Sequence, residues 1–228
     1  MSAGNRRLLA SGRAADVFAE GPGRVRRRYR ARRDCSIEAA VMKHARDHGF
    51  PVPEVFDALG SDIVMERIEG RSLLVDLVRC PWRLRAHARL LASLHRRLHE
   101  IAAPAWLESP LGDGRSLLHL DLHPENVVLT ASGPCVIDWT NAAAGPASAD
   151  IAQTWLLLAS SAVPGPRWQR AVGRLGRNVF LAAFLRQVDR SEVLTYLPTV
   201  ARLRLADENV QECERRSIRR MLDALTPA

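Results

Sequence analysis

Lysine is almost missing from this chain, since Lys43 is the only one among its 228 residues. The formal net charge of +8 at pH 7 therefore comes almost entirely from arginine. Cysteine is scarce as well. The four cysteines are widely spaced and form no C-x-x-C pair, so neither a zinc site nor a disulfide framework is indicated.

Long apolar runs are also absent. No run approaches the ~20 residues that a helix needs to cross a bilayer, so we expect no membrane partner. The N-terminus has no apolar stretch long enough for a signal peptide, and we therefore expect a cytoplasmic protein. The hydrophobic content of 47% still supports a globular core, in a chain long enough for one large domain or two small lobes.

The positive charge raises the question of a nucleic-acid partner. The arginines are dispersed along the chain, densest at residues 24–33, and neither interleaved aromatic residues nor a nucleic-acid fold signature accompanies them. We therefore interpret the charge as a compositional bias and do not expect nucleic acid to be a partner. Steeply salt-dependent binding to any duplex would indicate the alternative.

The most informative segment spans residues 116–150 and reads SLLHLDLHPENVVLTASGPCVIDWTNAAAGPASAD. Two apolar runs, residues 127–129 and 135–137, flank the turn signal Ser-Gly-Pro at residues 132–134. This pattern predicts a β-hairpin.

Pairing across that turn predicts that an amide and a carboxylate come together. Val127 would lie opposite Asp138, and Asn126 would therefore lie beside Asp138. Their oxygen atoms suit Mg²⁺, which keeps several waters and takes its remaining ligands from phosphates. Asp121, five residues before Asn126, is placed to orient an attacking hydroxyl as a base.

These residues resemble the aminoglycoside phosphotransferase and choline kinase-like family, a branch of the protein-kinase fold. Its catalytic loop, H-x-D-x-x-x-x-N, is matched by His119, Asp121 and Asn126. Its metal motif, I-D-[WFY], is matched by residues 137–139. The family's pairing of a base with two Mg²⁺ ligands parallels the general kinase template.

The resemblance implies an α+β, protein-kinase-like bilobal fold. A small β-rich nucleotide-binding lobe would comprise residues 1–66, and a mostly helical catalytic and acceptor-binding lobe would comprise residues 67–228. The missing A-P-E segment and the short link from Trp139 to Asp150 argue against a protein kinase.

The same resemblance implies an activity. The chain would be an ATP-dependent phosphotransferase that moves the γ-phosphoryl group to a hydroxyl of a small molecule. Asp121 would be the catalytic base, Asn126 and Asp138 would hold Mg²⁺, and ATP and Mg²⁺ would be the cofactors. The alternative is a catalytically weak or inactive nucleotide-binding module, because the lysine that kinases use for the phosphates is missing.

Arg27 is the candidate replacement for that lysine. Period-2 alternation in a predicted strand at residues 24–30 turns Arg27 toward the apolar face, where a cation needs a partner. A predicted helix at residues 36–48 offers Glu38. The resemblance implies that Arg27, paired with Glu38, contacts the α- and β-phosphates, and a solvated edge-strand arginine is the alternative.

Two further nucleotide contacts are implied by the resemblance. Gly12 lies in the segment that covers the phosphates in the family, although an ordinary hairpin turn explains it equally well. Residues 66–70, ERIEG, resemble the hinge between lobes, so backbone groups near Glu66 and Ile68 would bind the adenine edge. A plain loop is the alternative.

The helical part of the sequence yields three more expectations. His95 and His99 lie on or near the apolar side of a predicted helix at residues 82–100 and are interpreted as structural. Asp150 is expected to be the N-cap of a helix at residues 151–160, and the resemblance implies that it also bonds to the catalytic loop.

The segment at residues 167–225 is expected to be helical, with a break at Pro198. An acidic cluster there could receive a cationic acceptor or could be a solvated helix face. It consists of Asp207, Glu208, Glu212 and Glu214.

Overall fold

The computed structural model describes residues 7–12, 14–161, 165–207 and 210–225. The chain divides into two compact units, one of Met1–Ser72 with Val127–Thr140 and the other of Leu73–Asn126 with Asn141–Ala228. The lobe boundary expected after Glu66 stays a prediction.

The elements of both units are as follows. The strands are β1 (Leu8–Ser11), β2 (Ala15–Ala19), β3 (Arg24–Tyr29), β4 (Val55–Leu59), β5 (Asp62–Glu66), β6 (Arg71–Ser72), β7 (Ser116–Leu118), β8 (Val127–Thr130), β9 (Gly133–Val136) and β10 (Ala143–Gly145). The helices are α1 (Ser36–Asp47), α2 (Leu73–Arg79), α3 (Leu84–His99), α4 (Ala147–Ser160), α5 (Arg167–Leu185), α6 (Arg190–Ala206) and α7 (Glu212–Leu225), with a 3-10 helix at Pro81–Arg83 before α3.

The first unit is built on an antiparallel sheet with the strand order β1-β2-β3-β5-β4. Gly21 and Gly23 form the short turn between β2 and β3, and both have the positive φ that glycine adopts without strain. Helix α1 packs against β4. The predicted strand and helix around Arg27 and Glu38 are confirmed to within one residue at their ends. One buried hydrophobic cluster of this unit consists of Ala15, Tyr29, Cys35 and Ile63.

The predicted hairpin forms, but its predicted register is wrong. Strand β8 pairs with β9 so that Val127 lies opposite Val136, not opposite Asp138. The chain reverses between Thr130 and Gly133, earlier than expected, because Gly133 has a φ of 127° and closes the ladder with Thr130. A shift of two residues keeps each side chain on its expected face but leaves Asp138 beyond the end of β9.

The second unit is mostly helical, with β7 and β10 forming a two-stranded antiparallel sheet. Helices α4 and α6 pack against each other and against α7. Among the described residues, no helix combines the length and the apolar content that a bilayer crossing requires. Fully buried members of the hydrophobic core of the second unit are Leu118, Ala149, Leu156, Val200 and Ile218.

Two helix boundaries differ from the sequence predictions. Helix α4 begins at Ala147, with Pro146 as its N-cap, so the prediction that Asp150 caps the helix is wrong. Helix α6 continues through Pro198, so the predicted break there is also wrong. Burial of Leu197 and Val200 beside the proline offsets its cost of roughly 3 kcal/mol in a helix interior.

Candidate active site

Arg27 on β3 joins two carboxylates of the first unit. Its Nη1 donates to Glu38 Oε1 at 3.1 Å, and its Nη2 donates to Asp138 Oδ1 at 2.6 Å. Burial alone would lower the pKa of Arg27, but the charges of Asp138 and Glu38 outweigh it and raise the pKa. The guanidinium therefore stays charged in a position where 13% of its side chain is exposed.

Sequence reasoning missed two hydroxyl groups in this cluster. Tyr29 donates to Glu38, and Thr140 donates to Asp138 Oδ1 at 2.8 Å. The two hydroxyls also lie within hydrogen-bonding distance of each other, at 2.7 Å. Burial raises the pKa of Tyr29 and of Glu38. Tyr29 could have been found from the alternation that selected Arg27, since both residues point to the same face of β3.

The catalytic-loop motif forms a compact group in the second unit. Asn126 Nδ2 donates to Asp121 Oδ2 at 3.0 Å and to the Asp121 carbonyl oxygen at 2.9 Å. His123 Nε2 lies 3.6 Å from Asp121 Oδ1. Because these bonds use the amide nitrogen of Asn126, its amide oxygen is the atom that a cation could take.

The loop has a strained backbone, held by a buried carboxylate. Leu120 has a φ of 57°, which is uncommon outside glycine. Asp150 accepts the N–H of Leu120 at 2.7 Å and the N–H of His119 at 3.2 Å. The hydrogen bond that the family resemblance implied, between Asp150 and the loop with the H-x-D-x-x-x-x-N motif, is therefore confirmed.

Two histidines complete the surroundings of Asp150. His99 Nε2 lies 2.9 Å from Asp150 Oδ2, and His95 Nδ1 lies 3.5 Å from the same oxygen. Burial would raise the pKa of Asp150, but the contacts with His95 and His99 hold it well below its usual value. The sequence signal was the H-x-x-x-H spacing, which places both rings on one face of a helix.

The proposed metal ligands come from different compact units. Asn126 is the last residue of a segment of the second unit, and Asp138 belongs to the first unit. The hairpin register does not pair them.

The three other residues expected to contact the nucleotide lie in the first unit. The Gly12 N–H donates to the Ala15 carbonyl at 2.9 Å, directly after β1. Glu66 is the last residue of β5, and its carboxylate accepts the Glu54 N–H at 3.2 Å. Ile68 follows in a segment without regular secondary structure.

The acidic cluster of the C-terminal helices is partly ion-paired. Glu214 accepts from Arg204 Nε at 2.9 Å, and Asp207 lies 3.6 Å from Arg204 Nη1. Glu208 lies outside the described residues. A helix face on which carboxylates form ion pairs with arginine accounts for these contacts without a bound acceptor substrate.

Comparisons with known proteins agree with this geometry. Residues 6–115 and 97–188 match the model of the phosphotransferase enzyme family. No curated protein matches the chain.

Solved structures with low sequence identity share the fold. A choline/ethanolamine kinase family protein from Mesorhizobium loti is 16% identical, with a TM-score of 0.63 over 99% of this chain and 89% of that chain. A thermostable mutant of aminoglycoside phosphotransferase APH(4)-Ia, in a ternary complex with AMP-PNP and hygromycin B, is 15% identical, with a TM-score of 0.65 over 97% and 93%. A choline kinase from Cryptosporidium parvum Iowa II is 12% identical, with a TM-score of 0.56 over 96% and 88%. Since the family model covers more than half of the sequence, the chain belongs to the phosphotransferase enzyme family and has the α+β, protein-kinase-like fold that its motifs predicted.

Proposed function

We propose that this protein is an ATP-dependent phosphotransferase that transfers the γ-phosphoryl group to a hydroxyl of a small molecule. The observation that carries the proposal is the contact between Asp121 and Asn126, in a loop whose backbone is held by Asp150. A kinase fold needs little covalent chemistry, because it accelerates transfer by positioning the reactants and stabilising charge.

Asp121 is the proposed base. Its carboxylate is about one-fifth exposed, and Asn126 and His123 restrain it from two sides. A carboxylate held in this way can accept a hydrogen bond from an acceptor hydroxyl. It takes the hydroxyl proton as the hydroxyl oxygen bonds to the γ-phosphorus, while the bond between that phosphorus and the β,γ-bridging oxygen breaks and ADP leaves. The strained Leu120 backbone fixes the direction from which Asp121 leaves the main chain.

Asn126 and Asp138 are the proposed Mg²⁺ ligands. An amide oxygen and a carboxylate are the hard donors that Mg²⁺ prefers, so the residue types fit the ion. When bound, Mg²⁺ would neutralise charge on the nucleotide phosphates. Support for Asp138 comes from its main chain, since a φ of 67° two residues after the end of β9 accompanies the approach of its carboxylate to Arg27.

Arg27 is proposed to contact the α- and β-phosphates, with Glu38 holding it in place. A guanidinium presents several donors in one plane, so Arg27 can keep the bond to Glu38 while another N–H contacts phosphate. Gly12 and the backbone near Glu66 and Ile68 are the proposed contacts to the phosphates and the adenine edge. AMP-PNP in the related ternary complex supports ATP as the nucleotide.

The acceptor is a small molecule with a hydroxyl group, and a phosphorylation screen would identify its class. The screen should cover aminoglycosides, choline-like amines, homoserine, sugars and nucleosides, with ATP and Mg²⁺ present. Hygromycin B in the related complex is the reason to include aminoglycosides.

With the best acceptor in hand, Asp121→Asn should lower the transfer rate by about 10²–10⁴-fold, because the amide cannot take the proton. Asp138→Ala should abolish transfer and raise the Mg²⁺ concentration needed for nucleotide binding. Asp57→Asn, at an exposed position on β4, is the matched control and should keep full activity. Unchanged transfer in both site variants would show that the assignment is wrong.

The replacement of the usual lysine by Arg27 favours one alternative, a nucleotide-binding module without transfer activity. A thermal shift with ATP and Mg²⁺, followed by measurement of ATP consumption, separates the two functions. Binding without turnover, with and without acceptors, would support the alternative.

A further inference from the structure

His95 and His99 face Asp150 in the core of the second unit. The two histidines are one turn apart on α3, and Asp150 lies in the first turn of α4. One ligand atom from each residue lies within 4.8 Å of the others. His95 and Asp150 have no exposed side-chain surface, and the His99 side chain is 8% exposed.

The hydrogen bonds of Thr154 determine which nitrogen of His95 carries its proton. The Thr154 hydroxyl donates to the Leu122 carbonyl at 2.9 Å, so its oxygen accepts from His95 Nε2 at 3.1 Å. A neutral imidazole with its proton on Nε2 has a lone pair on Nδ1. That Nδ1 is buried and has no hydrogen-bond partner among the described residues.

Two hydrogen-bond acceptors, His95 Nδ1 and Asp150 Oδ2, therefore face each other inside the protein. The lone pair of His95 Nδ1 lies toward Asp150 Oδ2 at 3.5 Å, and neither side chain has exposed surface. Such a contact is unfavourable unless a proton or a metal cation lies between the two atoms.

The distances suit a metal ion. Tetrahedral zinc with bonds of about 2.0–2.2 Å places its ligand atoms roughly 3.3 Å apart. The separations of 2.9 Å and 3.5 Å from Asp150 Oδ2 to the two histidine nitrogens lie on either side of this value. Zinc would therefore enter with small side-chain movements.

We propose that His95, His99 and Asp150 bind one Zn²⁺ ion, with water as the fourth ligand. Two imidazoles and one carboxylate favour zinc over Mg²⁺, which prefers oxygen ligands. Thr154 is the outer partner that orients the His95 ring, as hydrogen-bonded groups do around zinc histidines. His95 and His99 are among the residues that line a cavity of about 340 Å³.

The site would link α3 to the catalytic loop. Asp150 holds the main chain of Leu120 through Oδ1, while the histidines contact Oδ2. Zinc would therefore stabilise the loop conformation without touching substrate. This inference does not depend on the proposed phosphotransferase activity.

Zinc titration of the chelator-treated, metal-free protein tests the proposal. Mg²⁺ is kept in excess so that oxygen-rich sites are occupied. We expect one zinc per chain by elemental analysis, a higher Tm with zinc, and a visible spectrum of tetrahedral type when Co²⁺ replaces zinc. His99→Gln should lose all three signals while keeping the far-ultraviolet circular dichroism of the metal-free protein.

A second variant and a matched control complete the test. Thr154→Val keeps the three ligands and should bind zinc about 10–100-fold more weakly. His44 and His48 on α1 have the same spacing, with ring centroids 4.4 Å apart, but no third ligand group joins them among the described residues. His44→Gln combined with His48→Gln should therefore leave zinc binding unchanged.

Three outcomes would overturn the proposal. These are the absence of stoichiometric zinc binding, zinc binding that survives in His99→Gln, and zinc binding that is lost in the His44 and His48 double variant. The first outcome would mean that a proton alone joins His95 to Asp150.

Discussion

Arg27 is the proposed counterpart of the lysine of protein kinases, and it contacts two carboxylates at once. One guanidinium nitrogen bonds to Glu38 and another bonds to Asp138, in directions that a single ammonium group does not match. The centroid of the Tyr29 ring lies 4.9 Å from the guanidinium carbon, which adds a cation–π contact. These contacts therefore suit a guanidinium group at this position.

Replacement of Arg27 should be costly for stability. Arg27→Met leaves the buried Glu38 carboxylate without its cation and should lower the free energy of unfolding by about 3–5 kcal/mol. Arg27→Lys keeps the charge and should cost less. Urea unfolding followed by circular dichroism gives both values.

Arg28 is the matched control for that experiment, because its side chain is 52% exposed on the same strand. Arg28→Met should change the free energy of unfolding by about 0–1 kcal/mol. Equal losses for the Arg27 and Arg28 variants would show that the buried pair does not stabilise the first unit.

At the scale of elements, close backbone approach determines where the short strand β6 can pair. Strand β6 pairs with β8, with Arg71 opposite Leu129. A Cβ atom at Gly70 would collide with the Leu129 carbonyl oxygen and with Val128. Glycine is therefore needed at this position for steric reasons, although its φ is not positive.

Two glycine substitutions should have opposite effects. Gly70→Ala should destabilise the first unit by about 1–3 kcal/mol, because either β6 or β8 must shift. Gly176→Ala lies inside α5 with no atom near the new methyl group, and it should stabilise the protein by about 0.5–1 kcal/mol. Thermal unfolding of both variants measures the difference, and a stabilising Gly70→Ala would contradict the steric argument.

At the scale of the whole molecule, several carboxyl groups hold their protons less tightly in the folded protein. Hydrogen bonds from Arg28 and Arg26 lower the pKa of Asp62 despite its burial. The pKa of Glu38 shifts in the opposite direction, since burial raises it. The other aspartates with a lowered pKa are Asp16, Asp34, Asp150 and Asp189.

This charge pattern predicts loss of stability in acid. An aspartate with a lowered pKa contributes stability that is complete above its unfolded pKa of 3.8 and is lost as the pH falls through the folded pKa. The Tm should therefore fall as the pH decreases from about 5 to about 2. Because the pKa of Glu38 is raised, this group acts in the opposite direction and reduces the fall in Tm. It does not reverse the fall, because five aspartates have a lowered pKa.

Asp62→Asn tests this pH dependence. It should cost about 1 kcal/mol at neutral pH and much less at the acid end, so that the variant has a flatter Tm profile than the parent protein. Asp57→Asn, exposed on β4, should keep the parent slope. A parallel shift of the whole Asp62→Asn profile would exclude titration of Asp62 as the cause.

Local features of the protein could be predicted from the sequence alone. Alternation along β3 turned Arg27 to the face from which it reaches Glu38, because side chains two residues apart share a side of a strand. The spacing of Asp121 and Asn126 was enough to place them in one loop, where they are hydrogen-bonded. Both predictions depend on separations of a few residues or on regular geometry.

Tertiary structure decided the features that depend on distant parts of the chain. The turn at Gly133 moved Val127 away from its predicted partner, and packing around Pro198 kept α6 continuous. The meeting of His95 and His99 with Asp150 joins side chains more than 50 residues apart in the sequence. Sequence patterns determine the face that each element buries, but the partner of that face depends on how all the elements pack together.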